Sequence, residues 1–381
     1  MNSGIYIHIP FCRNKCIYCD FFSGGDRKAD WHSLVNALKN EYRARRGELS
    51  IPVDTLYIGG GTPSLMPADC LREMLDSFKK EIPWYYGNVE ITIEVNPDDV
   101  DEDACRVWKE AGINRVSMGV QSFNDVELKT IGRRHDSKTA IDSFNILRKF
   151  FSNISIDLMF GLPGQTPESW RNTVRVAVEL KPDHISAYTL MFEEGTPISI
   201  LRDGGRMTFP DDEDNAAMWQ YLSDSLQKHG YRQYEISNYS LPGYESRHNG
   251  KYWNQSPYLG LGPSAHSYDG KNVRRFNPGD LNGYMEYYAN GVIESAGDFY
   301  DEEELNESEL SEEFILTRMR TAEGLPVDEY RSRFGEEAYM RLMRNYDREV
   351  KSGFVGMKEG SIVLTREGIM VADSVIVSLS M

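Results

Sequence analysis

The stretch Cys12-Arg-Asn-Lys-Cys16-Ile-Tyr-Cys19 places three thiols within eight residues, directly after an apolar run over residues 4–9. Thiols at this spacing can converge on one inorganic centre. Zinc and iron–sulfur clusters both take thiolate ligands, so the stretch predicts a metal centre of one of these two kinds.

Other residues help to separate the two metals. His8 could complete a Cys3His zinc site, but the ligands of a structural zinc site normally form two pairs separated by a loop. An electron-carrier cluster normally needs four cysteines, and the position two after Cys19 is Phe21. Cys70 and Cys105 lie in predicted helices, where we expect ordinary buried residues. A cluster with three protein ligands and one open iron remains, and an open metal position is typical of a catalytic site.

The composition predicts a soluble globular protein. The chain has 381 residues, of which 40% are hydrophobic and 27% charged, enough for two or three domains. No early run is apolar for long enough to predict a signal peptide or an integral membrane segment. The net charge of -17 disfavours nonspecific binding to nucleic acid or anionic lipid. Five cysteines, three of them clustered, indicate a reducing cytoplasm and not a disulfide framework.

The first half alternates apolar, β-branched runs with amphipathic helical segments, which is the pattern of βα units on a parallel sheet. The predicted strands are 4–9, 54–58, 89–95, 115–120, 154–160 and 184–190. The predicted helices lie near 30–46, 67–81, 101–111, 124–131, 137–150 and 167–180. Six such units fit either a barrel-like sheet or a doubly wound sheet.

Polar and glycine-rich residues collect at one end of these predicted strands. Gly59–Gly61 follow the second strand, Glu94 closes the third and Gln121 follows the fourth. Asp157 and Tyr188 mark the fifth and sixth strands. In a βα barrel the carboxyl ends of the strands form the face that carries the active site, and the cysteine loop follows the first strand. We therefore expect the loop and these polar residues to share one site.

The second half has a different character. A long helix is predicted over 211–229, followed to about residue 300 by a stretch dense in Tyr, Asn, Gly and Pro that we interpret as a folded loop layer. The acidic run 298–313 is predicted to be a solvated hinge or an exposed helix start. The tail, from residue 311, predicts helices and two short strands in the order of a winged helix. Because residues 301–381 contain 18 acidic residues against 10 Lys and Arg, binding to nucleic acid is not expected.

The cysteine stretch resembles the radical S-adenosylmethionine (SAM) superfamily, whose motif is Cys-x3-Cys-x2-Cys with an aromatic residue before the third cysteine. That resemblance implies a 4Fe-4S cluster on Cys12, Cys16 and Cys19, with an open iron that binds the amino and carboxylate groups of SAM. It also favours a partial (β/α)6 barrel over the doubly wound sheet. The fold class expected is thus α/β: a partial barrel over 1–210, a mixed α/β, loop-rich extension over 211–300, and a small winged-helix-like domain over 301–381.

The resemblance also implies the residues that contact SAM. The segment Gly59-Gly-Gly-Thr-Pro63 stands where the family holds the SAM amino group, a carboxylate at a strand end can accept both ribose hydroxyls, and an arginine can pair with the SAM carboxylate. The cofactor-binding residues expected on this basis are Tyr6, Gly60, Gly61, Thr62, Glu94, Gln121, Arg133 and Asp157. Tyr18 and Phe21 are expected either beside the cluster or in the core.

Over nearly its whole length the chain is similar to the haem chaperones of the oxygen-independent coproporphyrinogen III oxidase-like family. The shared motifs are IHIPFC, YCDFF, GGGTPS, GVQSF, DLMFGLPGQT and His-Asn-x-x-Tyr-Trp at 248–253. The oxidases carry a further cysteine where this chain has Phe21, and an N-terminal extension before the first strand. Both differences favour the chaperone, with haem as cargo and apoproteins such as respiratory enzymes as acceptors.

The alternatives that stay open are a coproporphyrinogen III oxidase and a zinc-stapled regulator. Whether SAM is cleaved is open as well. His248 is the candidate haem ligand, and His266 a weaker one. A homodimer and a transient contact with a membrane surface are further candidate interactions, although no anchor is encoded.

Overall fold

The computed structural model describes residues 2–25, 29–49, 51–85, 87–289 and 298–381. Its strands are β1 Ser3–Ile9, β2 Phe11–Cys12, β3 Gly24–Gly25, β4 Val53–Gly60, β5 Glu90–Val95, β6 Arg115–Gln121, β7 Ile154–Phe160, β8 His184–Thr189, β9 Arg232–Gln233, β10 Asn238–Ser240, β11 Tyr258–Leu261, β12 His266–Tyr268, β13 Val273–Phe276, β14 Asp301–Glu304, β15 Leu325–Pro326, β16 Val355–Lys358 and β17 Ser361–Leu364. Its helices are α1 Trp31–Arg45, α2 Ala68–Glu81, α3 Glu102–Glu110, α4 Asp125–Thr130, α5 Ser137–Phe150, α6 Pro167–Leu180, α7 Pro197–Asp203, α8 Asp212–Lys228, α9 Arg247–Trp253, α10 Leu281–Tyr288, α11 Glu307–Met319, α12 Val327–Ser352, α13 Arg366–Met370 and α14 Ala372–Ser380.

The six predicted strands form the centre of one sheet, in the order β1-β4-β5-β6-β7-β8, and every neighbouring pair is parallel. The six predicted helices are present as α1 to α6, with ends within about two residues of the prediction. Helix α6 shows why the boundary was readable: Thr166 caps it, Pro167 is its first residue, and the Ser169 side chain completes a capping box.

Side chains alternate along the central strands, apart from an irregularity at Asp54 near the start of β4. In β5, Ile91, Ile93 and Val95 belong to the hydrophobic core, whereas the interleaved Thr92 and Glu94 are polar. The other central strands repeat this period of two, so one face of the sheet packs apolar residues under α1 to α6 and the other face is polar. Even the polar face is inaccessible to solvent in places, because Arg115 is 1% exposed.

The extension corrects the predicted loop layer. Its short strands lengthen the central sheet at both edges, because β10 pairs antiparallel with β8 and β11 pairs parallel with β1. The result is a twelve-stranded sheet ordered β14-β13-β12-β11-β1-β4-β5-β6-β7-β8-β10-β9. Each added strand has only two to four residues between turn residues, so its period of two was too short to read. Residues 290–297 of the predicted layer lie outside the described residues.

The acidic run 298–313 is not a hinge. Its first part is β14, an exposed edge strand paired antiparallel with β13, where the Arg275 Nε donates to Glu302 Oε2 at 2.8 Å. Cross-strand pairs of opposite charge stabilise such an edge. Its second part is the start of α11, as the helix alternative predicted, with a capping box between Asn306 and Glu309.

The tail has a core of its own, built around Phe314, Leu342 and Ile376. Strands β15, β17 and β16 form a three-stranded antiparallel sheet beside α11, α12 and α14. The range α12 consists of two helices that meet at a kink at Gly335, where φ is +82° and ψ is 177°. The larger core holds residues of the extension, such as Leu259 and Tyr284, together with those of the parallel strands. Across the residues that the structure describes, no helix is long and apolar enough to cross a membrane.

Candidate cluster and cofactor site

A cavity of about 430 Å³ opens at the carboxyl ends of the parallel strands. It brings together nearly all the predicted site residues, since its lining contains Cys12, Cys16, Cys19, Gly60, Gly61, Thr62, Glu94, Gln121, Arg133 and Asp157. The cysteine loop and the polar strand ends are therefore parts of one site, as expected from the topology of parallel strands.

Backbone contacts from distant parts of the chain position the cysteine loop. The Ile17 amide donates to the Ile131 carbonyl at 3.4 Å, and the Ile17 carbonyl accepts from the Ile198 amide at 3.0 Å. Phe11 packs edge-on against Trp31, with ring centroids 4.7 Å apart. The loop is thus tied to the segments before α5 and at α7, as well as to the first strand.

Polar groups surround two of the three thiols. The Thr62 hydroxyl lies 3.4 Å from Cys12 Sγ, and the Arg133 Nη1 lies 3.8 Å from Cys16 Sγ. Burial, together with the neighbouring cysteines, raises the pKa of the Cys19 thiol to about 11. This thiol is therefore protonated at neutral pH unless a metal replaces its proton, as thiolate coordination does.

The arrangement of the thiols fits a cluster better than a single zinc ion. Thiolates bound to one zinc ion at 2.3 Å lie about 3.8 Å apart. We therefore looked for groups of three His, Cys, Asp or Glu side chains whose ligand atoms all lie within 4.8 Å of one another. In the described part of the chain there is one, His32, Asp69 and Cys70, and it lies away from the cavity. The three loop thiols are not such a group, so at least two of their sulfur atoms lie more than 4.8 Å apart, farther than thiolates on one zinc ion.

His8 does not complete a zinc site. Its Nε2 lies 2.8 Å from the Phe22 carbonyl oxygen and its Nδ1 lies 3.1 Å from the Tyr6 hydroxyl. With both ring nitrogens engaged and the side chain buried, His8 orients the cysteine loop from the first strand. The Cys3His alternative therefore has no support in the structure.

The glycine turn after β4 is required by close contacts within the protein. A Cβ on Gly61 would lie 2.6 Å from the Phe11 carbonyl oxygen, and one on Gly60, whose φ is +105°, would lie 2.7 Å from the His8 ring. The Gly61 amide donates to the Ile9 carbonyl at 2.7 Å. Glycine at both positions lets the turn pass against the end of β1 and places backbone at the cavity wall.

Glu94 is held at the floor of the cavity by two donors. The Tyr57 hydroxyl donates to its Oε1 at 2.8 Å and the Gly60 amide to its Oε2 at 3.1 Å. Burial, together with the Asp157 carboxylate, raises the pKa of Glu94 to about 7. Burial also raises the pKa of Asp157, against a hydrogen bond from Ser117 at 3.2 Å. Two partly buried carboxylates thus face the same space and can accept hydroxyl donors from a ligand.

Gln121 and Arg133 are placed by an irregularity in β6. Gln121 has a φ of +68°, and the pairing of β6 with β7 shifts register between Gly119 and Gln121. A non-glycine residue in this region of φ is uncommon and often belongs to a functional site. The Arg133 Nη2 donates to Asn96 Oδ1 at 2.7 Å and to the Gly119 carbonyl. Its Nε, also buried, has no partner.

The comparisons with known proteins agree with this geometry. The Radical SAM superfamily model matches residues 6–177. The chain is 33% identical over 372 residues to the heme chaperone HemW of Bacillus subtilis, covering 97% of each chain. It is 35% identical over 343 residues to the heme chaperone HemW of Escherichia coli, covering 86% of this chain and 84% of that protein. The chain belongs to the HemW family of radical SAM proteins.

The fold of this HemW family member is that of a solved radical SAM enzyme. Coproporphyrinogen III oxidase (HemN) from Escherichia coli superimposes with a TM-score of 0.83, covering 100% of this chain and 90% of that chain at 21% identity. The predicted α/β fold class is confirmed.

Two residues predicted for the site lie elsewhere in this HemW family member. Tyr6 does not line the cavity, and its ring lies 6.2 Å from Tyr57 and 6.4 Å from His248. His248 is 1% exposed, with Nδ1 at 2.9 Å from the Thr55 hydroxyl and Nε2 at 3.0 Å from the Tyr252 hydroxyl. Burial lowers the pKa of His248 to about 3. The predicted haem ligand therefore has no free ring nitrogen and no access to the cavity.

Asn96, at the end of the third predicted strand, also lines the cavity. Sequence reasoning missed other lining residues, namely Tyr57, Arg115, Ser117, Ser186 and Asn249. Four of them were readable from the alternation along the strands. Tyr57, Arg115, Ser117 and Ser186 occupy the same polar face as Glu94 and Asp157. Asn249, within the His-Asn-x-x-Tyr-Trp motif, reaches the cavity although its neighbour His248 does not.

Proposed function

We propose that this protein is a haem chaperone that holds a 4Fe-4S cluster on Cys12, Cys16 and Cys19, binds SAM in the adjoining cavity, and delivers haem to apoproteins such as respiratory enzymes. The observation that carries the proposal is the joining of the three thiols with the polar strand ends in one cavity. Similarity to the heme chaperone HemW of Bacillus subtilis over 97% of the chain supports haem as the cargo.

A bound cluster of this kind supplies an open iron and an electron for SAM. The protein's own residues would hold and orient the ligand. Glu94 and Asp157 offer carboxylates to ribose hydroxyls, and the Arg133 guanidinium offers a cation to the SAM carboxylate. The glycine turn at Gly60 and Gly61 keeps Cβ atoms out of the cavity wall, so that backbone can approach the ligand closely.

A second candidate is an oxygen-independent coproporphyrinogen III oxidase, which the fold shared with HemN of Escherichia coli favours. Phe21, at the position of the oxidases' additional cysteine, argues against it. Its side chain is 60% exposed and lines the same cavity as the three thiols, so it lies beside them and not in the core.

An anaerobic reconstitution tests the proposal. Purified protein is loaded with iron and sulfide, its reduced form is examined by electron paramagnetic resonance with and without SAM, and haem is then titrated. We expect a cluster signal that changes with SAM, saturable haem binding, and transfer of haem to a haem-free acceptor. Cys16→Ser should abolish the cluster, whereas Cys105→Ser, a change at a buried cysteine in α3, should leave it intact.

The outcomes separate the candidates. Turnover of coproporphyrinogen by the loaded protein would favour the oxidase. Bound zinc in place of iron would contradict both readings, and a protein that binds SAM but no haem would contradict the chaperone.

A further inference from the structure

The mouth of the cavity carries an unusual group of apolar side chains. Phe21 is 60% exposed, Tyr188 37% and Met191 67%, and all three line the cavity. Among the described residues before 211, six large apolar side chains are at least 37% exposed. Three of these six lie at this one opening. Single exposed apolar residues need no explanation, but a group around a functional cavity marks a binding surface for an apolar partner.

The cavity lining already supplies the groups proposed to hold two ligands. Its thiols would hold the cluster, and its polar strand ends would hold SAM. A flat macrocycle would therefore have to lie across the mouth, in contact with the three exposed apolar side chains. Charged side chains of both signs line the same opening, namely Lys15, Asp20 and Glu193. The Lys15 ammonium donates to the Phe21 carbonyl at 2.9 Å. Apolar contact and iron ligation should accordingly contribute more than charge.

Met191 supplies the iron ligand that His248 cannot. A thioether is an established axial ligand of haem iron in proteins. Met191 is the second residue after β8, and the amide of the intervening Leu190 donates to the Phe160 carbonyl at 2.8 Å, which ties this segment to the end of β7. Its backbone is therefore anchored while its side chain remains exposed.

We infer that haem docks on the mouth of the cavity, against Phe21 and Tyr188, with the Met191 sulfur as a ligand of its iron. The inference rests on the proposed function, because haem is the cargo assumed. It places haem directly above the cluster and SAM, where the state of that cavity can influence how tightly haem is held. Lys15, which lines the same opening, offers a cation to a haem propionate.

Haem titration of the cluster-loaded protein tests the inference. Ferric haem binding is followed by absorption and by electron paramagnetic resonance in the wild type, in Met191→Leu, and in Met357→Leu. Met357 is 46% exposed on β16 and serves as a matched control. We expect Met191→Leu to weaken haem binding about tenfold or more and to remove the sulfur-to-iron charge-transfer absorption, while Met357→Leu changes neither. Phe21→Ala should weaken binding without changing the iron spectrum.

The result that would overturn the inference is haem binding by Met191→Leu with unchanged affinity and spectrum, which would leave the chaperone proposal standing. Failure of the wild type to bind haem would contradict the proposed function, and the inference with it. Circular dichroism and thermal unfolding of Met191→Leu should match the wild type, because the side chain is exposed and Leu keeps its volume.

Discussion

Glu94 shows how a single residue acquires its properties from the fold. Its sequence neighbours Ile93 and Val95 are core residues, so the strand delivers one carboxylate into a polar cavity with little surrounding water. Desolvation favours the neutral acid, whereas the hydrogen bonds from Tyr57 and Gly60 favour the anion. The pKa of about 7 is the result of this competition. The acid is thus poised to ionise when a ligand brings hydroxyl donors or positive charge.

We predict that Glu94 makes the apo protein less stable as the pH rises. Its folded pKa, about 7, is above the ordinary value of 4.5 for a glutamate. The protonated form is therefore favoured in the folded state, and this stabilisation is present below about pH 4.5 and is lost as the pH rises through about 7. In Glu94→Gln this loss should be absent, so the variant gains stability relative to the wild type between pH 5 and pH 7.5. Urea unfolding at both pH values measures the effect, and a constant difference between the two proteins would contradict the prediction.

Helix α9 contains the His-Asn-x-x-Tyr-Trp motif and holds the amino ends of the central strands together. The His248 amide donates to Glu90 Oε1 at 3.0 Å, and the Lys251 Nζ lies 2.6 Å from Asp54 Oδ1. Arg247 also pairs with Asp54, at 2.8 Å. The helix therefore binds the starts of β4 and β5 just before the chain enters β11, which pairs with β1. The motif has a structural reason to exist that is independent of haem.

Removal of the buried cation of α9 should be costly. The side chains of Lys251 and Asp54 are 6% and 12% exposed, and breaking such a pair leaves a poorly solvated charge. We expect Lys251→Met to lower the free energy of unfolding by about 3 kcal/mol, at the low end for buried pairs because Arg247 remains on Asp54.

Denaturant unfolding at pH 7 provides the measurement for Lys251→Met. The control is Lys149→Met, which removes an ion pair with Glu102 whose side chains are 60% and 54% exposed, and it should cause no measurable loss. Equal stabilities of the two variants would show that α9 is not held through this pair.

At the scale of the whole molecule, two hydrophobic cores are joined through backbone and polar contacts. The Ile236 amide donates to the Arg320 carbonyl at 2.9 Å, and the Ala322 amide to the Tyr234 carbonyl at 3.0 Å. Arg333 reaches across to Gln255 Oε1 at 2.7 Å. Because each core has its own set of packed residues, the tail can lose order while the parallel sheet, and with it the cavity, stays folded.

Truncation of a central residue of the tail should reveal this independence. Phe314 is 0% exposed and its ring lies 5.7 Å from that of Phe334, so Phe314→Ala should destabilise the tail by about 3–5 kcal/mol. Hydrogen exchange should accelerate over residues 307–381 and stay unchanged in β4 to β8. Leu316→Ala, at a position 39% exposed on the same helix, is the control. Accelerated exchange throughout the chain would mean that the two cores unfold as one.

The sequence alone determined the elements and most of the site. Hydrophobic periodicity and capping residues depend on neighbours a few positions apart, and they located the six parallel strands and the helices between them. Because all parallel strands of such a sheet end on one side, the cysteine loop and the polar strand ends could be assigned to one site before their distances were known. The same alternation places Arg115 and Ser117 on the polar face beside Glu94 and Asp157, but the site prediction includes only the two acids.

Only the tertiary structure decided the rest, because the deciding contacts join residues far apart in the chain. The short strands of the extension gain their partners from β1 and β8, which no local pattern records. The imidazole of His248 could ligate haem iron by its chemistry. In the fold, however, Thr55, 193 positions away, contacts one ring nitrogen, Tyr252 contacts the other, and the side chain is buried. Met191 and Phe21 are 170 positions apart, yet they line one opening because the fold brings the cysteine loop and the segment after β8 to the same cavity. Chain folding sets burial and hydrogen-bond partners, and these determine which of the eligible side chains can meet a ligand.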